Sequence, residues 1–217
     1  MTWMEIYWLN HAAFKIKLDD GTVIYIDPYE LKSDDEKGNI IISTHGHFDH
    51  FSAKDIKKVY QDGAIVLGPS SINKELKKFN GKGLDLGKTE EIGSVKITLV
   101  PAYTIRKGTH PKGNNWAGVI IKYGDFSVYH AGDTERIPEM KDLASENITV
   151  ALLPCGGTYT MDFDESTDAA VDIKPKYVIP MHNWGKDLTT FKEILAKKDP
   201  NIETVILKER GSPFKLE

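Results

Sequence analysis

The stretch Ser43-Thr44-His45-Gly46-His47-Phe48-Asp49-His50-Phe51 follows the apolar run Asn39-Ile40-Ile41-Ile42 and packs three histidines and one aspartate into six positions. A short apolar run without alternation reads as a strand buried on both faces. Such a sheet needs helices to cover it, so this stretch decides for an α/β chain. It also poses a chemical choice. As a metal site, the turn around Gly46 would let His45 and His47 face one ion while Asp49 and His50 face another. As a nucleophile with its base it is poorly built, because Ser43 and Ser52 flank the cluster outside any G-x-S-x-G elbow. A solvent loop whose histidines cap the next helix suits a lone histidine better than this density.

Working outward, MEIYWL, AFKIKL and TVIYID are short β-rich runs, with a DDG turn between the last two. After IIIST come two expected helices, SAKDIKKVY and SSINKELKKF, with serine placed to cap the first turn and the strand AIVLG between them. A second half opens near Glu90 with the alternating SVKITLVPA, the polar segment YTIRKGTHPKGNN, and the strands AGVIIKYG and FSVYHAG around a Gly124-Asp125 turn. A short helix around RIPEMKDLA, the strand TVALLPC, the helix DESTDAAVDI, the strand YVIPMH, the helix TTFKEILAKK and a last strand ETVILK complete it. The expectation is one domain over 1–217 with two similar halves, about 1–89 and 90–217.

Four loops begin where an apolar strand stops: His45 to His50, Asp133 in HAGDT, His182 in PMHNW, and His110 in the long loop after ITLVPA. Residues beyond strand ends form the usual functional rim of helix-covered sheets, so these are the candidates for chemistry. Asp27, ending YID before Pro28, is an orienting acid for a histidine or an Asx-turn residue. His130 lies in a strand three positions before Asp133 and reads as core or support for the site. His11 lines the cleft or serves its own turn. Cys155 reads as packing. Lys107, Lys112 and Lys186 lie in rim loops and attract an anionic substrate or are simply solvated.

Composition narrows the alternatives. The chain has 217 residues and a formal charge of −4, which gives no support for a general nucleic-acid-binding surface. GPSS and CGGT lack the spacing of a phosphate-cradling loop. One cysteine permits no internal disulfide, the N-terminus lacks an export signal, and no stretch of about 18 apolar residues occurs, so the expectation is a cytoplasmic protein without membrane spans.

Taken in order, the pattern H-G-H-F-D-H with Asp27 upstream and HAGDT and PMH downstream resembles the metallo-β-lactamase superfamily. WLNHAAFKI, PAY…HPKG, IPEM and GTYTMD resemble, more narrowly, small metal-dependent hydrolases grouping with L-ascorbate 6-phosphate lactonase. The resemblance implies a four-layer αβ/βα sandwich and two divalent ions, zinc or its rival manganese. It implies His45, His47 and His110 on one ion, Asp49, His50 and His182 on the other, and Asp133 between them. Many members carry the His110 equivalent nearer the preceding strand, where this chain has Tyr103, so the loop must fold back. The implied activity is attack of a metal-shared hydroxide on a small ester or lactone, with or without an anionic group, and with Asp49 handling the proton. His11, Lys107 and Lys112, from their places in the rim loops, are the candidates for facing substrate. A phosphodiesterase and a non-catalytic metal-binding protein are the alternatives. The expected partner is a small molecule; homo-oligomerisation stays open.

Overall fold

The computed structural model describes residues 2–217, which divide into two compact units, the residues up to Asp85 with Leu207–Glu217, and Leu86–Ile206. In the first unit, β1 (Met4–Asn10), β2 (Ala13–Leu18) and β3 (Val23–Ile26) form an antiparallel meander, turned between β2 and β3 by Gly21 at φ 86°. Then β4 (Ile40–Ile42), β5 (Ile65–Pro69) and β6 (Lys82–Leu84) add in parallel, with α1 (Ala53–Val59) and the one-turn α2 (Asn73–Leu76) in the connections. Parallel neighbours require such crossovers. The opposite edge is closed by β14 (Phe214–Leu216), antiparallel to β1, giving the order β14-β1-β2-β3-β4-β5-β6. All three residues of β4 are buried, as its unbroken apolar run requires.

The second unit repeats this plan. β7 (Thr89–Ile92), β8 (Val95–Pro101), β9 (Ala117–Tyr123) and β10 (Phe126–His130) are antiparallel, and β11 (Val150–Pro154), β12 (Tyr177–Met181) and β13 (Glu203–Thr204) continue in parallel. The helices α3 (Phe163–Ile173) and α4 (Leu188–Lys198) bury Ala169, Ala170, Ile173, Phe191 and Leu195 in one cluster with Tyr129, Ala151, Leu153 and Val178 of the sheet. Their starts are capped by Asp162, accepting from the Glu165 N–H, and Asp187, accepting from the Thr189 N–H. Ser52 caps α1 in the same way, through the Asp55 N–H.

Three of the expected elements form differently, and β6, β7 and β14 are strands beyond those expected. SSINKELKKF breaks into 3₁₀ turns around α2, with no side-chain cap at its start, and ends at Asn80 in the left-handed region. RIPEMKDLA is 3₁₀ over Pro138–Glu146. Only Glu203 and Thr204 of ETVILK stay in the sheet; Ile206 is exposed, and Leu207 onward joins the first unit. Among the described residues, no helix is long and apolar enough to cross a membrane.

Candidate functional site

In the first unit, the end of β4 delivers Ser43 and the histidine-rich turn, which closes through His50 and Phe51 N–H groups donating to the His47 carbonyl at 3.0 and 2.7 Å. Behind it lies Asp27, fully buried where β3 stops and held at φ 47°. Aspartate is one of the few non-glycine residues that adopt this region readily, and such conformations gather at functional sites. Its carboxylate accepts from the Thr44 N–H, the Thr44 hydroxyl and His50 Nδ1, each at 2.7 Å. Donating from Nδ1 leaves His50 Nε2 as the ring's lone-pair atom, the orientation that a carboxylate imposes on a metal-binding imidazole. Thr44 extends the relay: its hydroxyl proton goes to Asp27, so its oxygen accepts from His45 Nδ1 at 2.9 Å. His45 Nε2 then faces His47 Nδ1 at 3.1 Å. Thr44 escaped the sequence reading, although a hydroxyl between a strand end and a histidine motif was its visible signal.

Asp49 sits on the same turn, 3.4 Å from His11 Nε2. His11 is itself held at φ 47°, its carbonyl accepting from Trp8 Nε1. Burial alone would push the Asp49 carboxyl up, but the hydrogen bond from His11 and the nearby His50 outweigh it and leave it below its ordinary value. The ligand atoms of His11, Asp49 and His50 all lie within 4.8 Å of one another.

The second unit gathers three residues from three loops. Asp133 follows β10, His182 follows β12 at φ 50°, and His110 comes from the segment after β8. All three are buried. Both imidazoles meet one carboxylate oxygen, Asp133 Oδ2: His110 Nε2 at 3.2 Å and His182 Nε2 at 3.3 Å. The loop to His110 does fold back. The Thr104 N–H donates to the His110 carbonyl at 2.8 Å and the His110 N–H to Thr104 Oγ1 at 3.1 Å, bringing residue 110 beside the strand end. Glu135, fully buried, clasps the same loop by accepting from the Ile105 and Arg106 N–H groups at 2.5 and 2.6 Å. Burial pushes the Glu135 carboxyl up, yet these two N–H groups, with Lys107 and Arg106, hold it below its ordinary value. Sequence reasoning missed Glu135 as well; its signal was a buried acid two positions after Asp133.

The remaining candidates are placed as follows. His130 is fully buried in β10 and accepts the Gly132 N–H at Nδ1, which supports the turn leading into Asp133. Cys155 is buried, bonded to the Met181 carbonyl, and burial pushes its thiol up to about 12. Lys107 donates to the Thr160 carbonyl and lies 3.9 Å from Glu135 and Glu165. Lys112 pairs with Glu139 at 2.9 Å and with the Tyr103 hydroxyl at 3.2 Å. Both ammonium groups are thus occupied by the protein's own oxygens.

The donor set fits a divalent ion. Two ligands each roughly 2.0–2.2 Å from one ion stand no more than about 4.4 Å apart. The separations of 3.1 Å for His45 and His47, and of 3.2 and 3.3 Å around Asp133, lie inside that limit. Imidazole and carboxylate without thiolate suit zinc and manganese alike.

Residues 5–182 match the family profile described as a beta-lactamase superfamily domain, and the chain belongs to that superfamily. It is a metal-dependent hydrolase. It is similar to a UPF0173 metal-dependent hydrolase of Nanoarchaeum equitans, at 38% identity over 94% of this chain and 96% of that one. A UPF0173 metal-dependent hydrolase of Archaeoglobus fulgidus is 32% identical over the same two shares. The solved structure of Igni18, a metallo hydrolase from Ignicoccus hospitalis, matches with a TM-score of 0.82 at 25% identity, over 99% of each chain.

Proposed function

We propose that His45, His47 and His110 hold one divalent ion, that Asp49, His50 and His182 hold a second, that Asp133 serves both, and that the enzyme hydrolyses a small ester or lactone. The observation that carries this reading is the single Asp133 oxygen met by imidazoles from two separate loops at 3.2 and 3.3 Å. A carboxylate approached in this way is suited to bridging. Zinc is the first choice of metal and manganese the second. When bound, such ions polarise the electrophile and bring the pKa of water toward neutrality.

The chain's own residues supply orientation and proton handling. Asp27, through Thr44 and His50, holds two imidazoles so that their Nε2 atoms carry the lone pairs. Asp49, kept anionic by His11, accepts a hydrogen bond from the attacking water and takes up or returns its proton at the carboxylate. Cys155 stays a neutral thiol and is no nucleophile. Lys107 and Lys112 are engaged by their own acids, which leaves Lys186 as the rim lysine without an acid beside it, among the described residues, to meet an anionic group on the substrate. We place this activity on a small molecule in the cytoplasm, with neither nucleic acid nor membrane as partner.

The test is metal removal and return. Chelated protein should lose activity and recover it with zinc or manganese at close to two equivalents; one saturable equivalent overturns the two-ion assignment. Turnover of a sugar-phosphate lactone and of a neutral lactone, set against bis(4-nitrophenyl) phosphate, decides the bond class. Preference for the phosphodiester replaces the ester reading.

A further inference from the structure

Beside His182 the chain makes a tight turn over residues 183–186, closed by the Lys186 N–H donating to the Asn183 carbonyl at 3.1 Å. Its two central residues, Trp184 and Gly185, both have positive φ, 53° and 71°. A turn of that kind asks for Asn, Asp or Gly at its first central position, because a side chain there crowds the backbone. The sequence supplies tryptophan, the bulkiest choice. Burial does not explain it, since Trp184 remains 55% exposed.

Its ring is nevertheless held firmly in place. It stands perpendicular to the His182 imidazole, centroids 5.3 Å apart, and edge to face with Tyr159 at 6.2 Å. Gly156 makes room for it: a Cβ there would lie 2.4 Å from both the Trp184 ring and the His182 carbonyl. Tyr159 is 46% exposed, and its loop is latched to the His110 loop by Thr109 donating to the Tyr159 carbonyl and Lys107 to that of Thr160. A strained backbone, a glycine notch and a latched neighbour therefore combine to present two aromatic rings to solvent next to a metal-ligand candidate. Strain kept where packing does not repay it points to function.

We propose that Trp184 and Tyr159 form a binding platform for an apolar, preferably aromatic, group carried by the substrate next to the bond that is cleaved. This rests on the hydrolase reading of the His182 site and narrows its substrate class. Two lysines agree with it: Lys107 and Lys112 are paired with the protein's own acids, while Lys186, which closes the turn, lies over the Phe163 ring at 5.6 Å from its centroid. Edge and face contacts of two rings select flat apolar groups over saturated polar ones.

The probes are butyrate and 4-phenylbutyrate, carboxylates of the kind that ester or lactone hydrolysis releases, titrated calorimetrically into the zinc-loaded enzyme. Wild type should bind 4-phenylbutyrate at least about tenfold more tightly than butyrate. Trp184→Ala should reduce that ratio below about threefold while leaving zinc content, melting temperature and butyrate affinity unchanged. Trp184→Phe should keep most of it, and Tyr159→Ala should give an intermediate value. A wild-type ratio near one, binding of neither acid, or an undiminished ratio in Trp184→Ala overturns the platform. The readout needs no turnover, so the two readings fail separately. A high ratio in an enzyme that cleaves phosphodiesters and no lactone sinks the ester reading alone. A ratio near one in an enzyme that cleaves lactones sinks the platform alone.

Discussion

The two units share a strand plan but distribute their chemistry in opposite ways. In each, antiparallel strands lead into parallel ones, and β3, β4 and β5 of the first sheet hold the positions that β10, β11 and β12 hold in the second. The first unit concentrates its candidates in one turn after β4, with Asp27 from the neighbouring strand end as the organiser. The second leaves the equivalent position after β11 to Cys155 and two glycines, and draws Asp133, His182 and His110 from three other places. One half thus holds its ligands by local geometry and the other by tertiary closure. Damage to a connecting loop should therefore matter more in the second.

Asp133→Ala gives the largest expected effect, because it removes the one atom that both second-unit imidazoles approach. Metal content and activity should fall together by more than about 100-fold, beyond what loss of an outer orienting partner costs. Metal analysis beside kinetics checks this, and retention of two equivalents would show that Asp133 is no ligand. Asp27→Asn probes the locally built half. The amide keeps one acceptor for three donors, so metal affinity should drop roughly 10–100-fold by competition with a chelator. An unchanged affinity would mean that the turn holds its histidines without Asp27.

Glu135→Gln tests tertiary closure directly. The amide still accepts through one oxygen but loses the charge, and the fold should lose about 1–3 kcal/mol, with faster amide exchange over 104–110 than elsewhere. The sign of the pH dependence follows from its lowered pKa. The charge contribution is present above the unfolded value of roughly 4.3 and is lost as pH falls through the lower folded value. The gap in melting temperature between wild type and variant should therefore close below about pH 4; a gap independent of pH would assign the effect to shape. Cys155→Ala is the smallest change, costing about 1 kcal/mol of packing and no metal. The native thiol, pushed up to about 12, should resist alkylation at pH 8 until the protein unfolds.

What the sequence reveals follows the same division. His45, His47, Asp49 and His50 are legible because neighbours in sequence are neighbours in space, and β4 is legible because three isoleucines in a row suit only a doubly covered strand. Asp27 is legible as an orienting acid because a carboxylate at a strand end must find donors. His110 is different: its place depends on the Thr104 pairing and on Glu135, which no periodicity announces. The lysines look like substrate groups in one dimension, since Glu139 and Glu165 lie far along the chain from them. The strand β14 is too short to read, having three residues whose pairing with β1 spans almost the whole chain.

That pairing imposes an order on the birth of the molecule. Met4 and Ile6 are made first, yet their partners Leu216 and Phe214 leave the ribosome only after the entire second unit. At roughly 5–20 residues per second, the outer edge of β1 waits about 10–40 seconds with its backbone donors and acceptors open. An open edge is a template for pairing with other chains. Nascent chains that stall short of residue 214 should thus be the ones that associate, and emergence of β14, rather than completion of the ligand-bearing turn, is the event that seals the first sheet.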